Sequence, residues 1–176
     1  MSMAAVKWNR ESNGRRSWIF GKFGPRPAKM VFAGYVIWNS SVPRCCSCFY
    51  DVAGITLWPF VFVRDPEPSE ADIEADTRAG GDLARRLRCF VRHERIHLAQ
   101  ATGMGVVPFY LLWVGDFACG MGLHACDARE SYIHSRLEQE AFDHEEDEGY
   151  LESRACCAWT AYPREEVAEK IRQRYM

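Results

Sequence analysis

Between Asp82 and about Ala101 the apolar residues recur at helical spacing, and no other feature constrains the fold of this 176-residue chain as strongly. Projected at about 100° per residue, Leu83, Leu87, Phe90, Val91 and Leu98 fall on one stripe, with Arg85, Arg88, Arg92 and Arg95 on the opposite face. Asp82 supplies the N-cap. Glu94 breaks the pattern, because it lies near the middle of the apolar stripe, between Leu87 and Leu98, with His93 and His97 on its flank. An ionised carboxylate facing a core costs several kcal/mol unless a partner or a wet cleft compensates it. The arginines at the back of the helix cannot reach round to do so.

His93-Glu94-Arg95-Ile96-His97 is an HExxH motif. Histidines four apart project from one helix face, close enough for both imidazoles to hold one tetrahedral metal ion. Glu94 then sits beside the ion's open position, where a carboxylate can take a proton from a metal-activated water and pass it to a leaving amine. The competing reading is two core histidines and a buried Glu satisfied by hydrogen bonds. Two imidazoles leave a site too open for tight binding, so a third ligand must come from another element. His134, Glu138, Glu140 and His144 stand on a polar helix predicted from about Ala128 to Glu148. Periodicity does not choose among them: Glu138 shares a face with His134, Ala141 and Phe142, and Glu140 lies nearer Ile133 and His144.

Around these helices the chain reads as α+β. Val31 to Trp38 and Ile55 to Val63 are β-branched and aromatic, which predicts two strands. Pro59 inside the second cannot donate a ladder hydrogen bond and points to an edge position. Asp65 to Gly81 reads as an acidic loop, and Tyr150 to Trp159 and Arg164 to Arg174 as two short helices. The apolar run Met104 to Leu123 has about the minimum length of a membrane span, but it contains Pro108, Asp116 and four glycines. It therefore reads as a buried hydrophobic helix over Val106 to Phe117 followed by a Gly-rich turn, and membrane association is not favoured.

A balance of 22 Lys and Arg against 24 Asp and Glu excludes a general attraction to nucleic acid. It hides an asymmetry. Residues 1–29 carry Lys7, Arg10, Arg15, Arg16, Lys22, Arg26 and Lys29 against Glu11 alone, while Glu138 to Glu148 holds seven acids. The arm over residues 1–28, broken by Gly and Pro, is either a solvated tail or a docking element for a partner. No apolar signal segment is read at the start. The eight cysteines form no staple pattern, which points to a reduced, cytoplasmic setting. Cys45 and Cys48 have a zinc-knuckle gap without a second pair to complete it.

The motif His93 to His97 with Gln100 beyond it, the segment Pro108-Phe109-Tyr110, the block Glu138-Gln139-Glu140-Ala141-Phe142 and the segment Tyr150-Leu151-Glu152-Ser153-Arg154 occur in an order that resembles an uncharacterised bacterial zincin-like family. That family reads HExxHxxQ, PFY, ExEAY and YLxxR, and the resemblance covers about residues 54–162. The ExEA block is similar to the third-ligand segment of gluzincin peptidases. The resemblance implies that Glu138 is the third metal ligand, with Ala141 packing on the active-site helix and Glu140 as the alternative. It also implies that Ile55 to Val63 is the edge strand that binds an extended substrate. One position departs from the gluzincin pattern: Phe142 stands where an Asp often bonds the first ligand histidine, and Asp143 is one place off.

The expectation is a single zincin-like α+β domain over residues 29–176, a small sheet with an edge strand packed on the active-site helix and further helices. Its expected activity is zinc-dependent hydrolysis of peptide bonds in a peptide or protein substrate. His93, His97 and Glu138 would hold Zn2+ and Glu94 would be general base and then acid. His134, or Tyr132 nearby, would stabilise the oxyanion. Gln100, one turn past His97, either bonds a ligand or substrate or lies on the helix surface. The rival readings are a catalytically weak binding or assembly module, which the basic arm favours, and a membrane-associated peptidase.

Overall fold

Alternating side chains build a small sheet. β1 (Tyr35–Ile37) buries Val36 and exposes Tyr35 and Ile37, and β3 (Phe60–Val63) buries Val61 and Val63. β2 (Gly54–Leu57) runs antiparallel to β3 and β1 runs parallel to it, giving the order β1-β3-β2. The structure, a computed structural model, describes residues 34–43 and 53–175. Over those residues the fold is mixed α+β, mostly helical with this one three-stranded sheet. The basic arm, the start of the first predicted strand and the Cys45–Cys48 pair lie outside the described residues.

The expected continuous strand Ile55 to Val63 is instead a hairpin, with Trp58-Pro59 as its turn. Pro59 therefore interrupts no ladder, because its missing N–H falls where none is needed, and its carbonyl accepts from Tyr35 N at 3.0 Å. Among the described residues β3 is the central strand and β2 is an edge. A second correction concerns Asp65 to Gly81, which holds helix α1 (Glu70–Arg78). Ser69 accepts from Asp72 N–H while the Asp72 carboxylate accepts from Ser69 N–H, a capping box that was legible as Ser-x-x-Asp. None of its residues is buried, so there was no apolar stripe to announce it.

Helix α2 (Leu83–Met104) is continuous and extends one turn beyond the predicted end. The chain divides within it into two compact units, one up to Arg95 and one from Ile96. In the first unit, a Cβ on Gly54 would stand 2.5 Å from Phe90 Cζ, so the Phe90 ring of α2 lies over β2 where this residue has no side chain and would have to move for any other residue.

The second unit contains α3 (Val106–Leu123), α4 (Ala128–Ile133), α5 (Arg136–His144), α6 (Tyr150–Ser153), a 3-10 turn (Ala158–Ala161) and α7 (Glu165–Tyr175). The predicted polar helix from Ala128 to Glu148 is thus two helices. Asp127 caps α4 by accepting from the Arg129 and Glu130 N–H groups, and extended Ser135 starts α5. Ile133, Tyr162, Val167, Ala168 and Ile171 form one apolar cluster, with Phe142 packed on it. Ile96, Ala141 and Tyr150 form another, so Ala141 does pack on α2; Ala101, Phe109 and Leu137 form a third.

The α3 helix differs from expectation in two ways. It runs through Leu123 instead of ending at Phe117, and it is not a buried core helix, since only Phe109 and Gly120 are buried along it. Gly120 is where it closes on α4: a Cβ there would meet Ser131 Cα and Cβ at 2.9 Å. Gly120→Val should therefore push the two helices apart at a cost of about 1–3 kcal/mol, read calorimetrically as a thermal midpoint lower by several degrees. An unchanged midpoint would mean that the helices do not approach so closely.

Candidate metal centre

Helix α2 places His93 and His97 on one face by their spacing, and Glu138 lies on the first turn of α5. All three are buried, and ligand atoms of His93, His97 and Glu138 lie within 4.8 Å of one another. His97 Nε2 stands 3.3 Å from Glu138 Oε2. The other Glu138 oxygen accepts a hydrogen bond from Trp113 Nε1 on α3 at 2.9 Å. Trp113 is a supporting residue that the sequence did not flag, because a tryptophan in an apolar run reads as packing.

Gln100 fixes the state of His97. Its Nε2 donates to Leu137 O at 3.0 Å and to Glu140 Oε2 at 3.1 Å, so its amide cannot be turned over without facing two acceptors with a third. Its Oε1 therefore faces His97 Nδ1 at 2.8 Å and accepts a hydrogen bond from the Nδ1–H. A neutral His97 then carries its lone pair on Nε2, directed at the carboxylate of Glu138. Two acceptors this close in a buried site require a cation between them, either a second proton or a metal ion. Two ligands each about 2.0–2.1 Å from a tetrahedral zinc ion lie about 3.3 Å apart, so the His97–Glu138 pair fits such an ion.

Gln100 thus gives the second histidine of the motif, His97, its acceptor, while Phe142, at the place where an acceptor for the first histidine is expected, packs on the apolar cluster of α4 and α7.

Glu140 stands apart from Glu138. It is fully buried, and its oxygens accept from Tyr150 Oη at 2.8 Å, from Arg154 Nε, from Arg154 Nη2 at 3.0 Å and from Gln100 Nε2. Burial, followed by the Glu140 charge and hydrogen bond, pushes the Tyr150 phenol well above its ordinary range, so it remains a proton donor to Glu140. Glu140 is thus the centre of a supporting network. Of the two glutamates, the structure brings Glu138 to the histidines and Glu140 to Arg154.

No family model, curated protein or solved structure matches the chain.

In the first unit, Glu94 is buried and its Oε2 accepts a hydrogen bond from the Thr56 hydroxyl on edge strand β2. The stripe position that looked costly in the sequence is therefore partnered at one oxygen. Thr56 was unreadable as a partner, being 38 residues away. His134 joins a different cluster, with ligand atoms of His124 and Glu130 within 4.8 Å. Its Nδ1 lies 2.9 Å from Glu130 O, its Nε2 3.1 Å from Glu165 Oε2, and its ring stacks on His124 at 4.3 Å. The geometry engages it with α4 and α7 and does not bring it to the His97–Glu138 pair. Tyr132 packs edge-on against Phe142 instead. His144 stacks on Tyr150 at 3.6 Å between ring centroids.

Proposed function

We propose that this chain is a zinc-dependent peptidase of the zincin-like family it resembles. The observation that carries the reading is the buried convergence of His93, His97 and Glu138, with His97 held by Gln100 in the tautomer that offers Nε2 to a metal. Hydrophobic burial alone does not bring two imidazoles and a carboxylate together, because each loses hydration there. A bound zinc ion would polarise a scissile carbonyl and lower the pKa of water.

The residues of the chain do the rest. Trp113 holds Glu138 Oε1, so Oε2 is the oxygen offered for ligation. Thr56 holds Glu94 Oε2, leaving Oε1 to accept the proton of the attacking water and later to deliver it to the leaving amine nitrogen. Thr56 belongs to β2, an edge strand among the described residues, and an edge strand can pair with an extended polypeptide, which suits a peptide substrate. His134 takes no part in this proposal.

Metal content tests the reading. Protein purified without chelator, or reconstituted with zinc, should hold about one zinc per chain by mass spectrometry, as expected for three protein ligands. His97→Ala and Glu138→Ala should each lose it, while Glu140→Gln should retain a measurable fraction. Wild-type protein that takes up no zinc, or a Glu138→Ala variant that binds as wild type does, would sink the assignment.

A further inference from the structure

Helix α3 is apolar and half bare. Val107 is 68% exposed, Leu111 69%, Val114 57% and Leu123 82%, and the remaining exposed positions of the helix are Pro108, Gly115, Ala118, Cys119 and Gly122. No charged or amide side chain stands on that face over 18 residues, a length of about 27 Å. A soluble helix ordinarily carries polar residues on its outward side, and a contiguous apolar surface of this extent marks a place where something other than water is met.

The opposite face is committed to the fold. Phe109 is buried in the cluster with Ala101 and Leu137, Trp113 donates to Glu138, and Gly120 lies against Ser131. Asp116, the only charged residue of the helix, accepts from Arg136 Nε at 3.1 Å and from the Arg136 backbone N–H at 3.1 Å. The helix cannot cross a bilayer by itself without breaking all of these. It can lie in a bilayer surface with the inner face kept in place.

We propose that α3 docks the protein on an anionic membrane, its exposed face sunk into the acyl boundary. The basic composition of the amino-terminal segment, within a chain of net charge -2, selects this occupant over an uncharged apolar partner. Residues 1–29 carry seven basic side chains against one acid, together with Trp8 and Trp18, a composition that adds attraction to anionic headgroups. This inference goes beyond the proposed hydrolysis and does not depend on it.

The full chain, loaded with zinc, should be mixed with vesicles of phosphatidylcholine alone and of phosphatidylcholine with about a quarter phosphatidylglycerol, then separated by flotation. Expected is binding to both, stronger on the anionic vesicles, with salt weakening only that excess. The double variant Leu111→Glu with Val114→Glu should bind at least about tenfold more weakly to both. These side chains are already exposed, so helicity by circular dichroism and zinc content should not change. Three outcomes overturn the proposal. One is wild-type protein recovered free of both vesicles. Another is a double variant that binds as wild type does, which would leave the basic arm as the sole anchor. The third is a wild-type dimer that the double variant splits, which would assign the face to a second copy of the chain.

Discussion

Arg154→Met should lower the thermal midpoint by about 10 °C, the largest stability effect expected of any single substitution here. Arg154 is nine-tenths buried and its guanidinium grips both oxygens of Glu140, which has no exposure at all. Removing one partner of such a pair costs about 3–5 kcal/mol, because a charge is left in a medium that cannot solvate it. For a chain of this length each kcal/mol is worth about 2–4 °C. Tyr150 and Gln100 still donate to Glu140, which limits the loss but does not replace the charge. The double variant Arg154→Met with Glu140→Gln should recover part of the loss, and calorimetry of the two variants measures the coupling directly. An Arg154→Met protein as stable as wild type would mean that Glu140 is not buried as an ion. Zinc affinity offers a second readout, since Gln100 links Glu140 to His97, and loosening it should weaken binding by about 10–100-fold.

The second large effect is on activity. Glu94→Gln should keep the fold and about one zinc per chain, yet lower kcat for hydrolysis of an unfolded protein such as casein by about 100- to 10,000-fold. The amide is nearly isosteric and can still accept from Thr56, but it cannot take up a proton from water. Zinc retention separates this result from a merely structural role. If the Glu94→Gln protein digests casein at the wild-type rate, the hydrolytic mechanism is wrong even if the metal is there. If wild type itself shows no hydrolysis while holding zinc, the binding-module reading gains.

What the sequence made legible was the chemistry that sits on one helix. The apolar stripe, His93, His97 and the anomalous Glu94 follow from a 3.6-residue period, which local spacing reports faithfully. The choice between Glu138 and Glu140 was not legible from spacing, because it depends on which carboxylate Arg154 reaches, and that contact spans 14 residues and two helices. The hairpin at Trp58-Pro59 was hidden for a related reason: an unbroken apolar run carries no mark where the chain reverses, and proline was read as an edge signal instead of a turn. Helix α1 had a capping box in plain sight but no buried side, so periodicity passed over it. The α3 helix misled in the opposite direction. Its composition says only that it avoids water, and whether protein or lipid replaces the water is a property of the surroundings.

The bridge made by Gln100 constrains the alphabet of the chain. A Glu at that position would set a second carboxylate against Glu140, and a Leu would leave His97 Nδ1 and the Leu137 carbonyl without their partner. Arg154 is bound into the same set through Glu140. A descendant that drifts at any one of positions 100, 140 and 154 therefore loosens the support of His97 unless the others change with it. These three places, spread over 55 positions of the sequence, are heritable only as a single word.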